Sequence, residues 1–532
     1  MTGPASHEPR TGGRLADPRV VRRVSTAIFI VIGCVWALST PLMAVPDEPA
    51  QIVRAASLLQ GQLRGDEVTT TQYGDPQLTI QVTVPKGYAL YHELPKCHWF
   101  LSEAPASCAP EPVDDTTPTV TTTYIGAYPP LYYWLVGWPS RLFGTATATY
   151  LMRLISAVLC GVLLGWGVGA AAGLGRSRFA LVGAGLAATP MVFFVSGAVN
   201  PSGLEITAAF ALWFLLTELL SSAGPPTRGQ LVRVTTAAAL LTVARPLGPA
   251  YTLCVVAALT IGIATRVRLR QLVQDRRVWI AAGVLATVGL LAVAWSIKAG
   301  ASNSLIPAPH GPVSGRREAF LTSLGQTEYR ARQMVGYFGW LDSPPPFLLE
   351  WGWFTGVGII GTWALVVGSM RQRLLMLLVT AGTIALPVVF ETQTAARLGY
   401  LWQGRYSLPI GVGVPIVAGW IVATRTRPAR WLTPVTALFG TGVATGGLVG
   451  WATMMTRYDA GASSPLTTFL HAGNGWHAPL PNLVLAAIIG VASVAFALLV
   501  ASAGRGPDEP DPRRAGRATD TRAAQPIGAD GT

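Results

Sequence analysis

The chain has 532 residues, a net charge of +13 and a mean hydropathy of +0.43, with 51% of its residues hydrophobic and only 12% charged. A soluble domain carries about twice that charged fraction, and the apolar residues gather into runs of membrane-spanning length. A soluble globular protein is therefore excluded, and the fold class is an all-α polytopic membrane protein. The basic surplus does not indicate nucleic acid, because the arginines recur in short clusters between apolar runs.

In chain order, the first apolar run, Thr26 to Ala44, follows Arg22-Arg23. Its end, "PLMAVP", is a poor small-x-small cleavage site, so the run reads as a retained anchor and not a signal peptide. Matching apolar runs to arginine clusters gives about twelve spans. They lie near 24–44, 146–173, 179–198, 203–222, 233–245, 248–265, 278–297, 347–369, 374–391, 407–423, 431–453 and 481–503. The segments assigned inside hold 24 of the 39 Lys and Arg residues and 9 of the 26 acids. That bias places both termini in the cytoplasm of a multi-pass cell-membrane protein. The expected organisation is a cytoplasmic segment 1–23, a transmembrane domain 24–503, and a disordered cytoplasmic tail 504–532 rich in Pro, Gly, Asp and Arg.

The large non-membrane pieces fall outside: a first loop at 45–145, expected to bear amphipathic helices, and a second at 298–346. No Walker motif is present. "GWGVGAAAG" (165–173) lies within an apolar run, where small residues four apart read as helix-packing notches. From Val234 to Thr265 the run is interrupted only by "ARPLGP". It is long for one span and short for two, so it reads as two short or re-entrant helices meeting at Pro246 and Pro249. Arg245 then sits at membrane depth, facing protein or water.

Several stretches could carry chemistry. In "AVPDEPAQ" (44–51), Asp47 and Glu48 follow the first span. Asp47 can serve as the N-cap of the helix "EPAQIVRAASLLQG", and a carboxylate at that height can also act as a general base. A divalent cation, Mg or Mn, is the one cofactor this acidic pair could hold; no other cluster has metal-ligand spacing. "YPPLYYWLVGW" (128–138) suits an interfacial helix that fixes Tyr128 above the bilayer. In "NPSGLE" (200–205), Ser202 and Glu205 have capping-box spacing, and Asn200 precedes them. "QGRYSLP" (403–409) puts Arg405 at the head of a late span, where a guanidinium can snorkel or bind phosphate. Lys298 and Glu391 lie near other span ends. Of the five cysteines, Cys97 and Cys108 alone lie in an outer loop, and a disulfide between them is expected.

The segments P-D-E-P, Y-P-P-L-Y-Y, N-P-S-G-L-E, A-R-P-L-G-P and Q-G-R-Y together resemble a bacterial integral-membrane family of unknown function. That family in turn resembles the GT-C superfamily of polyprenyl-phosphate-dependent glycosyltransferases. The resemblance spans about 24–503 and is sharpest before Gly144. It implies a GT-C-like fold with an acidic residue of the first outer loop at the active site, here Asp47 with Glu48 beside it. It further implies that the first loop ends in a helix beginning x-P-P, here Tyr128-Pro129-Pro130, and that an R-Y pair, Arg405-Tyr406, opens a late span. Tyr128 stands where related transferases often carry Lys or His, and the resemblance assigns Arg245 no role.

On this reading the protein transfers a sugar from a polyprenyl-phosphate donor to an envelope glycan or lipid acceptor at the outer face, with inversion. Asp47 is the general base, Glu48 its neighbour, and Arg405, Tyr406, Arg245, Tyr128, Asn200 and Glu205 bind substrate. Its partners are the donor, the acceptor and the bilayer. Two other classes compete: a transporter or flippase for an envelope lipid or glycan, and a non-catalytic partner in envelope assembly. A broken helix pair with a buried Arg suits the carrier. The hundred-residue outer loop argues against it.

Overall fold

Some of the helices start at side chains that cap them, as Asp17, Asn200, Thr227, Thr265 and Asp275 do. The computed structural model describes residues 17–72, 75–300, 313, 315–471 and 475–506. In α1 (Pro18–Ser39), Pro18 occupies the first turn and the Asp17 carboxylate accepts from the Arg19 amide. The short α2 (Glu48–Leu59) is followed by Gly61 at φ +88°, a left-handed position that suits glycine.

A small antiparallel sheet interrupts the helices, with strand order β1 (Asp66–Gln72), β2 (Asp75–Pro85), β3 (Pro118–Thr123). Its register runs from Asp66 opposite Gln81 and from Ile80 opposite Thr123. The turn of helix α3 (Lys86–Ala89) leads into the loop closed by the Cys97–Cys108 disulfide, whose Cα atoms are 6.1 Å apart. The long loop after α1 thus holds a sheet as well as the expected helices.

α4 (Leu131–Gly137) precedes the long α5 (Thr145–Ala171), then α6 (Ala180–Ala187) and α7 (Pro190–Ser196), broken apart at Pro190. Next come α8 (Pro201–Ser221), α9 (Arg228–Ala244), α10 (Gly248–Ile263), α11 (Arg266–Gln274) and α12 (Arg276–Lys298). The second half contains α13 (Arg316–Gly325), α14 (Thr327–Gly336), α15 (Phe347–Val367), α16 (Met370–Leu398), α17 (Gly404–Gly411), α18 (Gly413–Arg425), α19 (Leu432–Ala460) and α20 (Asn482–Ala501).

Among the described residues, eight helices are long and apolar enough to cross a membrane: α1, α5, α8, α12, α16, the α17–α18 rod, α19 and α20. The other four expected spans fall on α6–α7, α9, α10 and α15. The first is broken, and α9 and α10 have 17 and 16 residues, each about 25 Å long. They meet at Arg245–Leu247, as the two prolines suggest.

The helices alternate between two ends. At one, α1 finishes beside the starts of α8 and α17, tied by Asn200 Nδ2 donating to Pro46 O (3.1 Å) and by Arg405 to Asp47. At the other, the tails of α8 and α10 meet α11 and the start of α16, where Arg268 donates to Leu219 O and Arg371 to Ala264 O. α1 lies directly on α5: a Cβ on Gly165 would sit 2.7 Å from the Thr26 Cα, and one on Gly161 2.8 Å from the Ile30 amide. The small residues of "GWGVGAAAG" and the turn before it are thus contact notches, as their spacing suggests. α8 is the most enclosed of the eight, with 94% of its apolar window buried, and α12 the least, at 6%. The core is organised around α8 and the α17–α18 rod.

Candidate functional site

Asp47 sits where α2 begins, with φ +68°. Asp and Asn adopt that left-handed geometry far more readily than most side chains. Its backbone carbonyl accepts from the Gln51 amide, but its carboxylate makes no capping bond. The capping reading is corrected accordingly. Oδ2 instead accepts from Arg405 Nη2, and Oδ1 from the Tyr124 hydroxyl at 2.7 Å. The Asp47 side chain remains 25% exposed while that of Arg405 is 1% exposed. Burial and the adjacent carboxylate push the Tyr124 hydroxyl well above its usual pKa, which keeps it a proton donor to Asp47.

The cluster continues through rings and cations. Arg405 Nη2 also donates to the Tyr406 hydroxyl at 3.1 Å, and its guanidinium lies 5.0 Å from that ring. Arg245 lies 4.4 Å from the Tyr406 ring and 5.8 Å from that of Tyr128. Two guanidiniums therefore share one aromatic ring, each favoured by its quadrupole. Arg245 Nη1 contacts Glu205 Oε2 at 3.4 Å and Ser202 Oγ at 3.3 Å. Tyr251 donates to the Tyr406 carbonyl at 2.6 Å, holding the start of α17 against α10.

The structure thus brings Asp47, Arg405, Tyr406, Arg245, Tyr128 and Glu205 into one connected group. Hydrogen-bonding capacity there is not spent: among the described residues Arg405 Nε is buried without an acceptor, and Glu205 Oε1 without a donor. The capping-box reading of Ser202 and Glu205 does not hold. Asn200 is the cap, its Oδ1 accepting from the Ser202 amide at 2.9 Å, while Glu205 faces Arg245. Through its Nδ2 bond to Pro46, Asn200 joins the N-P-S segment to P-D-E-P.

Glu48 takes a different course. It is fully buried, its Oε1 accepting from Arg153 Nε at 2.7 Å and from the Val199 amide at 3.1 Å, its Oε2 from Arg153 Nη2. Arg153 further donates to the carbonyls of Ala37, Thr40 and Pro41. Asp47 and Glu48 do not converge as a ligand pair, and among the described residues no group of three His, Cys, Asp or Glu could hold a metal ion. Lys298 ends α12 in an exposed position, and Glu391 is buried against Arg330.

Sequence reasoning missed Arg153, Tyr124 and Arg54. The first had a signal: a lone arginine in the apolar run "TYLMRLISAV" requires a buried counter-charge. Arg54 is fully buried on α2, donating to the carbonyls of Leu63 and Tyr128. Nothing local distinguishes Tyr124 from other loop tyrosines.

Fold and site together define a polytopic helical membrane protein whose polar cluster gathers at one end of the bundle. Residues 29–414 match the family described as "Predicted membrane protein (DUF2142)", and the chain belongs to that family. The matched span contains every residue of the cluster. No curated protein and no solved structure matches the chain.

Proposed function

We propose that this protein is a GT-C-type glycosyltransferase. It would move a sugar from a polyprenyl-phosphate donor to an envelope glycan or lipid acceptor on the outer face of the cell membrane. Both termini would then be cytoplasmic, an orientation supported by the arginine-rich connections gathered at the end opposite Asp47. The observation that carries the proposal is the contact between Asp47 and Arg405, 358 residues apart in sequence. It puts a partly exposed carboxylate beside a buried guanidinium that still has a free donor.

The chemistry follows from these groups. The acceptor hydroxyl attacks the anomeric carbon as Asp47 takes its proton. The bond from that carbon to the donor phosphate oxygen breaks, and its electron pair leaves with the lipid phosphate. The phosphate gains negative charge, which Arg405 and Arg245 stabilise. Attack opposite the leaving group inverts the anomeric centre. Tyr124, as donor, holds Asp47 in place. Glu48 serves this site indirectly, by anchoring the segment that presents Asp47.

The test is sugar transfer by the purified full chain in lipid, from a panel of polyprenyl-phosphate sugars. Asp47→Asn keeps the left-handed backbone and the shape but removes basicity. It should slow transfer about 10²–10⁴-fold while the protein still folds, with only a modest drop in melting temperature as Arg405 loses its counter-charge. The α9–α10 break at Arg245 favours a second reading, a carrier for the same class of lipid. Lipid-linked sugar crossing the bilayer with no bond broken, equally in wild type and Asp47→Asn, would establish the carrier in its place.

A further inference from the structure

A cavity of about 480 Å³ lies at the end of the bundle opposite Asp47, between the tails of α8, α10 and α18, the start of α16, and α11. Along the α17–α18 rod, Arg405 and Arg425 are about 30 Å apart, so the cavity is separate from the cluster described above. Arg268, Arg371 and Arg425 line it together with Gln271, Gln372 and Trp420, and among the described residues no Asp or Glu does.

Two of the arginines have evident structural work. Arg268 donates to the carbonyls of Leu219 and Gly224 at 2.6–3.0 Å, and Arg371 to those of Ile261 and Ala264. They neutralise carbonyls at and just beyond the helix C-termini. Arg425 differs. It is exposed, only its Nε is engaged, by Gln372 Oε1 at 3.0 Å, and among the described residues its Nη groups have no protein partner. Trp420, on the same helix, is 6% exposed and its indole N–H has no acceptor among the described residues. A buried N–H without an acceptor is costly. Three positive charges without a carboxylate indicate what would satisfy it.

We propose that this cavity is a binding site for a phosphate-bearing anion, with Arg425 and Trp420 as its direct donors and Arg268 and Arg371 supplying field. The helix ends around it mark the level at which lipid headgroups would lie. A phosphate there can come from an anionic lipid or from solution.

Native mass spectrometry of the full chain in detergent, with dioleoyl phosphatidylglycerol against dioleoyl phosphatidylcholine, tests the lipid source. Thermal shift of the delipidated chain with inorganic phosphate against chloride at matched ionic strength tests the soluble one. Arg425→Gln should lower whichever signal is present about fivefold, and Trp420→Phe about threefold. Arg430→Gln, at the same end but outside the cavity, should lower neither. Retention of phosphatidylglycerol identifies a headgroup site, and a phosphate-specific shift alone identifies a soluble ligand. Absence of both, or equal loss in Arg430→Gln and Arg425→Gln, overturns the proposal.

Discussion

Asp47 and Glu48 are adjacent acids, each paired to an arginine from a distant helix, yet their surroundings differ. Glu48 and Arg153 have no exposure, and the pair is saturated by a backbone amide on one side and three carbonyls on the other. Asp47 is partly exposed, and its partner Arg405 keeps an unused donor. The left-handed backbone at Asp47 turns the chain between them. An ion pair with every guanidinium proton committed fixes geometry, whereas one with spare capacity at a partly open site can exchange its partner for a substrate.

Breaking the saturated pair should have the largest effect on the fold. Glu48→Gln leaves Arg153 buried without a counter-charge, a loss of about 3–5 kcal/mol. Size-exclusion profiles and melting curves in detergent should show a severely destabilised protein, while Asp47→Asn, whose carboxylate is partly exposed, melts only modestly below the wild type. If Glu48→Gln melts normally, the two acids are not the distinct groups their geometry suggests.

Arg405→Lys sharpens the comparison from the other side. A lysine can keep a charge near Asp47 but cannot offer a planar fork to phosphate. Transfer should fall about 10–10²-fold, mainly through a raised KM for the lipid donor, with little change in melting temperature. Equal loss of stability and activity would instead place Arg405 with Arg153 as a structural cation.

A second buried arginine adds a pH test. Arg457 donates to the carbonyls of His98, Leu101 and Ala104 and to Asp342 Oδ2, clamping the disulfide loop onto α19. Burial, then the neighbouring Arg457, lowers the His98 imidazole to about 4, while Asp342 partly opposes the shift. A histidine held below its ordinary value of about 6.5 stabilises the fold above that value. This contribution is lost as pH falls toward 4, because the unfolded chain takes up the proton first. The melting temperature should therefore drop between pH 6.5 and 4, and His98→Phe should flatten that slope.

Much of the helical frame was legible because apolar runs and arginine clusters report directly on span and connection. The break at "ARPLGP" was legible for the same reason: two prolines punctuate an apolar run. The sheet was not read, although "DEVTTTQ", "LTIQVTV" and "PTVTTT" alternate β-branched residues in the manner of strands. Polar strands in a loop between spans give a far weaker signal than spans do. Within the cluster, Asp47, Arg405 and Arg245 stood out as charges near membrane level. Their mutual contacts did not, since no local pattern encodes a meeting 358 residues apart. Glu48 was misjudged as a companion of Asp47 because spacing cannot reveal that one left-handed residue separates two neighbouring side chains.

The smallest expected effect concerns the joint between the two acidic environments. Asn200 accepts from the Ser202 amide and donates to Pro46 O, so it both caps α8 and holds the turn from which Asp47 and Glu48 diverge. Asn200→Asp preserves the cap acceptor but removes the amide donor to Pro46. Asn200→Ala removes both, at about 1 kcal/mol for the cap alone. If the tie to Pro46 positions Asp47, Asn200→Asp should retain most of the melting temperature yet lower transfer by a few fold, about 1 kcal/mol of a lost hydrogen bond. If Asn200 acts only as a cap, Asn200→Asp should match wild type in both readouts, and only Asn200→Ala should melt early.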